Sequence, residues 1–261
     1  MLMKLVSLNI WGGQKHKPLL RFVKDLNGKI DVFCFQEVFK SDIKTFSSGS
    51  KMDIYSDLEK ILKDHKIFFA PTFTNYDLKT KTNFDTLFGE ATFIKNDIEI
   101  ISEGTIFTYK KFDEKRMLFH DDFGEYWDLP RNFHYTIIRN DGKDFLIANV
   151  HGFWKRGKKK DMKQTLIQSN KILEVLRNFN CPKIVCGDFN LRPDTVSMKK
   201  LEEEMINLIT KNDVKNTRSK FYTGNEKFAD YILVSPHLKV RDFKVMDEHV
   251  SDHLPLFLNF D

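Results

Sequence analysis

Short apolar runs rich in β-branched and aromatic residues alternate with polar turns along the chain. Such runs are typical of buried strands, and they predict strands at KLVSLNI, DVFCFQEV, EATFIKN, FHYTIIRN, DFLIANVH, KIVCGDFN, ADYILVSP and PLFLNF. Between them, apolar residues recur at spacings of three and four, which predicts helices over 15–28, 52–64, 161–179 and 197–209. Asn-Asp-Gly at 140–142 predicts a hairpin turn. The pattern therefore favours sheets packed on one another with helices outside.

No linker-like stretch interrupts this pattern, so residues 1–261 are expected to form one domain. Single α/β sandwiches commonly reach this length. The composition, 41% hydrophobic and 30% charged, is that of a globular protein and argues against disorder. The 25 Phe residues are scattered along the chain, which indicates core packing rather than a repeat.

Charge and cysteine content narrow the class of protein. The net charge of +5 is a mild basic excess, which favours an anionic partner without marking a dedicated nucleic-acid binder. Cys34, Cys181 and Cys186 are flanked by apolar, strand-like residues, which predicts buried reduced thiols. The first residues show no export signal, and no run is long enough for a membrane helix. We therefore expect a cytoplasmic protein without a membrane span, and no protein partner can be inferred.

Polar residues recur where the predicted strands meet loops. Taken singly, each is explained as a turn, cap or surface residue. Because a rigid scaffold usually presents its functional groups at strand ends, the set is expected to converge at one rim. These residues are Asn9, Glu37, His151, Asp188, Asn190, Asp230, Asp252 and His253.

This set contains carboxylates, amides and imidazoles, and the chain has no thiolate cluster, no Gly-x-Ser-x-Gly and no P-loop. Such groups suit a hard, oxygen-preferring cation and a phosphate. Hydrolysis of a phosphoester requires neutralised nonbridging oxygens, an activated water and help for the departing oxygen. The residue types therefore predict metal-assisted hydrolysis.

Individual roles follow from the same requirements. Glu37 can hold Mg²⁺, while Asn9 and His151 offer hydrogen bonds around the phosphate and the metal. Asp188 with Asn190 can orient and deprotonate water.

The last two strand ends complete the set. Asp230 is a candidate partner that fixes the tautomer of His253. Asp252 is a candidate for a second metal position.

Six motifs occur in order along the chain: SLNIWGG, FQEVF, NVHG, GDFNLRP, ADYILVS and VSDHLPL. Together they resemble the endonuclease/exonuclease/phosphatase superfamily, which has the deoxyribonuclease I type of fold, and the resemblance extends from residue 5 to 258. The resemblance implies a four-layer α/β/β/α sandwich of two mostly antiparallel sheets flanked by helices. It also implies that Glu37 binds Mg²⁺, with Mn²⁺ as a substitute.

The resemblance implies roles for the other motif residues as well. Asp188 and Asn190 manage the water, and Asp230 orients His253. Asn9 and His151 serve the metal and the phosphate.

Two departures from the family pattern bear on the substrate, because the superfamily includes nucleases, abasic-site enzymes, tyrosyl-DNA phosphodiesterases, inositol-phosphate phosphatases and sphingomyelinases. The first motif lacks the Asn-x-Asn-Gly form associated with abasic-site endonucleases, which disfavours that subgroup. Ala229 precedes Asp230 where several members carry Arg or Lys, so Lys227 is a candidate replacement contact.

Two segments are expected to determine specificity. In the run 154–160, which follows His151, we assign Trp154, Lys155 and Arg156 to substrate binding, against the alternative of a solvated loop. The aromatic-rich stretch 105–133 is expected mainly to pack on the sheet, with Tyr126, Trp127 and Arg131 as possible substrate contacts. Glu90 is expected to be a surface residue of its strand.

The leading hypothesis is a Mg²⁺-dependent phosphodiesterase or nuclease that acts on DNA or RNA by in-line attack of water. An alternative within catalysis is hydrolysis of a small-molecule or lipid phosphoester such as an inositol phosphate. From a different class, a non-catalytic binding module would keep the fold without the chemistry. The intact set of ionisable residues argues against that last reading.

Overall fold

Strands and short helices alternate along the chain. The computed structural model describes residues 2–120, 124–155 and 159–261, with the backbone alone at 117–120 and 124–127. In the described ranges the strands are β1 (Met3–Asn9), β2 (Val32–Lys40), β3 (Phe46–Ser47), β4 (Ser50–Lys51), β5 (His65–Thr74), β6 (Leu87–Lys95), β7 (Glu99–Tyr109), β8 (Arg116–His120), β9 (Gly124–Asp128), β10 (Arg131–Asn140), β11 (Lys143–His151), β12 (Lys183–Asp188), β13 (Ile206–Asn207), β14 (Asp230–Val234), β15 (Val240–Val245) and β16 (Leu256–Phe260). The helices are α1 (His16–Leu26), α2 (Ile54–Ile61), α3 (Lys163–Arg177), α4 (Val196–Glu202) and α5 (Leu208–Lys211), with a 3₁₀ turn at Trp11–Gly13.

Twelve of these strands form two six-stranded sheets. The first has the order β15-β16-β1-β2-β6-β5, and the second has the order β13-β14-β12-β11-β10-β7. Each sheet contains one parallel pair, β1 with β2 and β11 with β12, and its other pairs are antiparallel. The predicted sandwich of two mostly antiparallel sheets is confirmed.

The helices cover the outer faces of the sandwich. On β1, Val6 and Leu8 pack in a cluster with residues of α1 and α2, whereas Met3 and Leu5 belong to the cluster shared with the second sheet. Side chains of α3 and α4 pack into the same cluster as Met3 and Leu5. Central strands are therefore buried on both faces, which explains why they read as continuous apolar runs.

Buried amides join the two sheets near one end of the central strands. Asn149 of β11 donates from Nδ2 to the carbonyl oxygens of Phe35 and Ala91, at 3.2 and 3.3 Å. Its Oδ1 accepts from Gln36 Nε2 at 2.6 Å. Both amide residues are fully buried. These bonds cross from one sheet to the other, so they fix the relative position of the strand ends.

The predicted helix over 197–209 is wrong beyond its first turns. Helix α4 ends at Glu202, and Ile206 and Asn207 pair with β14 instead. The Asn207 side chain accepts from the backbone N–H groups of Ile209 and Thr210, so it caps the separate short helix α5. A capping residue takes a non-helical conformation, which interrupts the helical pattern.

Strands β5, β7 and β15 were not predicted. β5 and β7 lie at sheet edges, and β15 pairs only with β16 within the described residues. Their exposed and half-buried positions dilute the apolar pattern by which the central strands are recognised. Every helix in the described ranges is too short or too polar to cross a membrane.

Replacing Asn149 with Leu should lower the free energy of unfolding by roughly 2–5 kcal/mol, because the change leaves several buried polar groups without partners. Urea denaturation measures the difference. Asn180→Leu, at an exposed position, is the matched control and should change stability by less than about 0.5 kcal/mol. Equal stability of the two variants would contradict the bridging role of Asn149.

Candidate active site

Strand register brings the predicted strand-end residues together. His151 pairs with Asp188 across β11 and β12, and Asp188 pairs with Asp230 across β12 and β14. These three residues therefore form a row across the second sheet. Asn9 ends β1 in the first sheet, and His253 pairs through its backbone with Arg218.

Unusual backbone conformations orient two of the site residues. Glu37 has φ +59° at a bulge in β2, and Asn190 has φ +55°. Non-glycine residues adopt this left-handed region at a cost, and such strain is concentrated at functional sites. Gly187 has φ +134°, and a Cβ there would lie 2.0 Å from the carbonyl oxygen of Val150. Glycine at this position therefore permits the close approach of β12 to β11.

Asn9 links carboxylates of the two sheets. Its Nδ2 donates to Glu37 Oε1 at 3.0 Å and to Asp188 Oδ2 at 3.1 Å. Its Oδ1 accepts from the backbone N–H of Trp11 at 2.9 Å. In this arrangement the amide acts as a hydrogen-bond donor to both carboxylates, and its predicted role as a metal ligand stays a prediction.

His253 is held by a buried carboxylate. Its Nδ1 lies 2.8 Å from both oxygens of Asp230, which also accepts from Thr217 Oγ1 at 3.1 Å. This geometry assigns the proton to Nδ1 and turns Nε2 toward Asp188 Oδ2, 3.7 Å away. Burial and the Arg218 charge lower the pKa of His253, but the surrounding carboxylates raise it more, so the net shift is upward.

Asp188 lies at the centre of a group of cations. Its Oδ1 accepts from the backbone N–H of Asn190 at 2.8 Å, and the Asn190 side chain accepts from Lys159 Nζ at 2.9 Å. Burial raises the pKa of Asp188, but Lys159, His253 and Arg218 lower it further, so it lies well below its usual range. Burial lowers the pKa of Lys159 to about 8. Asp188 is therefore ionised at neutral pH.

The expectation that Glu90 lies on the surface is wrong, because this residue is fully buried beside His151. Neither of its carboxylate oxygens has a hydrogen-bond partner among the described residues, and Oε1 lies 3.9 Å from His151 Nδ1. Burial raises the pKa of Glu90 well above its usual value. Burial and the charge of Arg131 lower the pKa of His151 to about 3, so its imidazole is neutral.

The negative charge of the Glu37 carboxylate is only partly compensated by hydrogen bonds from the described residues. Its Oε2 is buried without a hydrogen-bond partner in the described part of the chain, and its Oε1 lies 3.7 Å from His151 Nε2. Burial raises the pKa of Glu37 to about 7, against the hydrogen bond from Asn9, and the Asp252 charge adds to the shift. A divalent cation would neutralise these carboxylates, so the donor set fits one.

A second group of possible ligands comprises Asp188, Asp230 and His253, whose donor atoms lie within 4.8 Å of one another. Asp230 and His253 are already hydrogen-bonded to each other, so a metal there would have to break that pair. Glu37 has a free oxygen, which makes it the better ligand.

The predicted substrate contacts occupy different surroundings. Trp154 is 40% exposed, and with the half-buried Lys155 it lines a small cavity of about 60 Å³. Arg131 is buried, and it donates to the carbonyl oxygens of Pro130 and Gly152. It therefore acts on the site through its charge in this arrangement. Arg156 and the side chains of Tyr126 and Trp127 lie outside the described residues.

Three charged residues of the site were missed in the sequence. Lys159 lies within the basic run after His151, and that run was the available signal. Glu90 opens the predicted strand EATFIKN after a glycine, a pattern that does not distinguish a buried carboxylate from an exposed one. Arg218 lies in a polar segment without periodicity, so nothing in the sequence marks it. It donates to Asp252 Oδ2 at 3.4 Å and contacts His253 Nε2.

Comparison with solved structures gives full-length matches. An endonuclease/exonuclease/phosphatase from Bacteroides vulgatus matches with a TM-score of 0.68 and 16% identity, covering 100% of this chain and 99% of that one. A mannosyl-6-phosphatase from Bacteroides thetaiotaomicron matches with a TM-score of 0.70 and 18% identity, covering 99% of both chains. The human Nocturnin catalytic domain, solved with a bound sulfate anion, matches with a TM-score of 0.69 and 19% identity, covering 100% and 93%. At these identities the matches show a shared fold.

A search of curated proteins gave no match. The model of the Endonuclease/Exonuclease/phosphatase family matches residues 6–253, which is nearly the whole chain. The chain therefore belongs to the endonuclease/exonuclease/phosphatase family, whose members hydrolyse phosphoesters.

Proposed function

We propose that this protein is a Mg²⁺-dependent phosphodiesterase that hydrolyses nucleic acid. The observation that carries the proposal is the buried His253–Asp230 pair beside the ionised Asp188, with Asn9 joining Asp188 to Glu37. His253 is thus the proposed hydrogen-bond donor, Asp188 the base and Glu37 the anionic ligand for a cation, and hydrogen bonds from Asn9 join the last two. Metal-assisted hydrolysis of a phosphoester requires these three functions together.

Glu37 and Asp252 are the proposed ligands of Mg²⁺, a cation that takes one or two carboxylates and keeps several waters. When bound, the cation neutralises charge on the phosphate oxygens and stabilises the departing oxygen.

The other side chains act on the water and the phosphate. Ionised Asp188, fixed by the Asn190 backbone N–H, orients the attacking water and accepts its proton. His253 Nε2 faces the phosphate together with the Arg218 guanidinium that it contacts, and Asp230 stabilises the positive charge that protonation of the ring would create. Neutral His151 can donate a hydrogen bond without adding charge. Lys159 supplies a buried cation beside Asn190.

The proposal of nucleic acid as substrate is supported by two residues shortly after β11. Trp154 is exposed and Lys155 is half-buried, and they lie three and four residues beyond His151, where the strand ends. An aromatic ring next to a cation is a common surface for single strands. The net charge of +5 favours the same polyanion.

Hydrolysis of a small sugar phosphate is the second candidate, because the Bacteroides thetaiotaomicron mannosyl-6-phosphatase matches over 99% of both chains. Turnover of single-stranded and duplex oligonucleotides, sugar phosphates and inositol phosphates with Mg²⁺ separates the two candidates. Cleavage of oligonucleotides is expected. Turnover of sugar phosphates with inert oligonucleotides would replace the proposal with the second candidate.

Asp188→Asn and His253→Gln should each lower kcat for phosphoester hydrolysis by at least about 10²-fold, because each removes a proton-transfer group. The rate of oligonucleotide cleavage at saturating Mg²⁺ measures the loss. Asp242→Asn and His237→Gln change the same residue types at exposed positions and should keep wild-type rates. Wild-type turnover by either site variant would rule out its assigned role.

Glu37→Gln should stabilise the protein in EDTA above pH 7. The folded pKa of about 7 lies above the ordinary value of 4.5, so the folded state binds more protons than the unfolded state between these values. Stability is therefore lost as the pH rises through this window, by up to about 3 kcal/mol. Thermal unfolding at pH 5 and pH 8 measures the difference between the variant and the wild type.

Addition of Mg²⁺ or Mn²⁺ should raise the melting temperature of the wild type at pH 8, because binding to the folded state stabilises it. Glu37→Gln should show little of this effect, whereas Glu59→Gln, at an exposed position, should respond as the wild type does. An equal response of Glu37→Gln and the wild type would exclude Glu37 as a ligand.

A further inference from the structure

A cavity of about 400 Å³ lies beside the proposed catalytic residues, and residues of the segment between Asn190 and β14 line it. Its lining includes Lys215, Arg218, Tyr222, Glu226 and Lys227. Arg218 connects the cavity to the site, since the same guanidinium contacts His253 Nε2 and donates to Asp252. Whatever occupies this cavity therefore lies next to the group that we assign to the phosphate.

Arg218 and Tyr222 form a stacked pair in the cavity wall. The guanidinium carbon lies 4.2 Å from the centre of the Tyr222 ring. On another side, the Tyr222 hydroxyl packs against Gly224, where a Cβ would lie only 2.5 Å from it. The ring is thus held on a flat, cationic surface. Such surfaces stack the bases of nucleic acids.

Arg218 also has an unused hydrogen-bond donor. Its side chain is only 7% exposed, and its Nε has no partner among the described residues. A buried donor without an acceptor costs free energy, so such a group commonly marks a position that a ligand or water completes. An anionic or carbonyl oxygen in the cavity would satisfy it.

Positively charged side chains lie at the opening of the cavity, where they could bind a phosphate. Lys215 and Lys227 are both exposed and line the opening, and Glu226 is the one acidic side chain among the described residues of the lining. Lys215 also pairs with the exposed Asp213, which leaves Lys227 as the less compensated of the two lysines. Lys227 is also the residue that the family pattern suggested as a replacement phosphate contact.

We propose that this cavity binds the nucleotide unit next to the scissile phosphate, with its base against the Tyr222–Arg218 pair and its own phosphate at Lys227. The volume suits a group of this size, because small-molecule sites commonly enclose 300–1,000 Å³. The inference rests on the proposed function, since it assigns the substrate of the same site to nucleic acid. It adds that recognition extends beyond the phosphate under attack.

Tyr222→Leu tests the stacking surface. Its kcat/KM for a short single-stranded oligonucleotide should fall about tenfold more than its kcat/KM for methyl p-nitrophenyl phosphate, which has no neighbouring nucleotide. The loss should lie mainly in KM. Tyr222→Phe keeps the ring and should recover most of the wild-type kcat/KM for the oligonucleotide. A purely structural effect of the smaller Leu side chain would instead lower kcat/KM for both substrates alike.

Lys227→Ala tests the phosphate contact. Its affinity for the oligonucleotide should depend less steeply on salt, with the slope of log K against log[salt] smaller by about 0.7, the value for one contact to a single strand. Lys211→Ala removes an exposed lysine that does not line the cavity and is the matched control.

The outcomes separate the two proposals. Equal losses for both substrates in Tyr222→Leu, or a salt slope unchanged in Lys227→Ala, would overturn the nucleotide site while oligonucleotide cleavage by the wild type still supports the proposed function. A wild type that hydrolyses methyl p-nitrophenyl phosphate but no oligonucleotide would overturn both assignments to nucleic acid.

Discussion

Hydrogen bonds from buried side-chain amides join the two sheets at the end of the sandwich where the polar residues converge. Asn149 and Gln36 bond to each other across the interface, and Asn9 donates to one carboxylate on each sheet. Apolar packing between sheets tolerates small shifts, whereas buried hydrogen bonds have narrow geometric limits. The relative positions of Glu37 and Asp188 therefore depend on these amides. The site is a consequence of how the sheets are joined.

Burial and the partners of each side chain set the ionisation states of the carboxylates in the site. Asp188 is surrounded by cations and stays ionised, and Asp230 is compensated by His253. Among the described residues, Glu37 accepts one hydrogen bond from Asn9 and its Oε2 has no partner, and burial raises its pKa to about 7. Desolvation of a carboxylate without a full complement of partners is costly. The imbalance at Glu37 is the physical reason to assign the cation there rather than to the hydrogen-bonded pair.

The sequence was sufficient for the central strands and their polar ends, because strands buried on both faces read as apolar runs that stop at a functional residue. The sequence was insufficient where the local helical pattern and the tertiary contacts favour different structures. The periodicity over 197–209 continues through Asn207, although the pairing with β14 and the cap of α5 break the helix there. Glu90 shows a second limit, since burial of a carboxylate depends on which strands cover it. Arg218 reaches His253 through a loop that no periodic pattern describes.

We propose that the half-buried carboxylate of Glu37 holds the catalytic cation beside Asp188 and His253. Anomalous diffraction from crystals soaked in Mn²⁺ locates that cation. We expect a manganese peak at coordination distance from the Glu37 carboxylate, with the Asp230–His253 hydrogen bond intact. A peak enclosed by Asp188, Asp230 and His253, with none at Glu37, would contradict it.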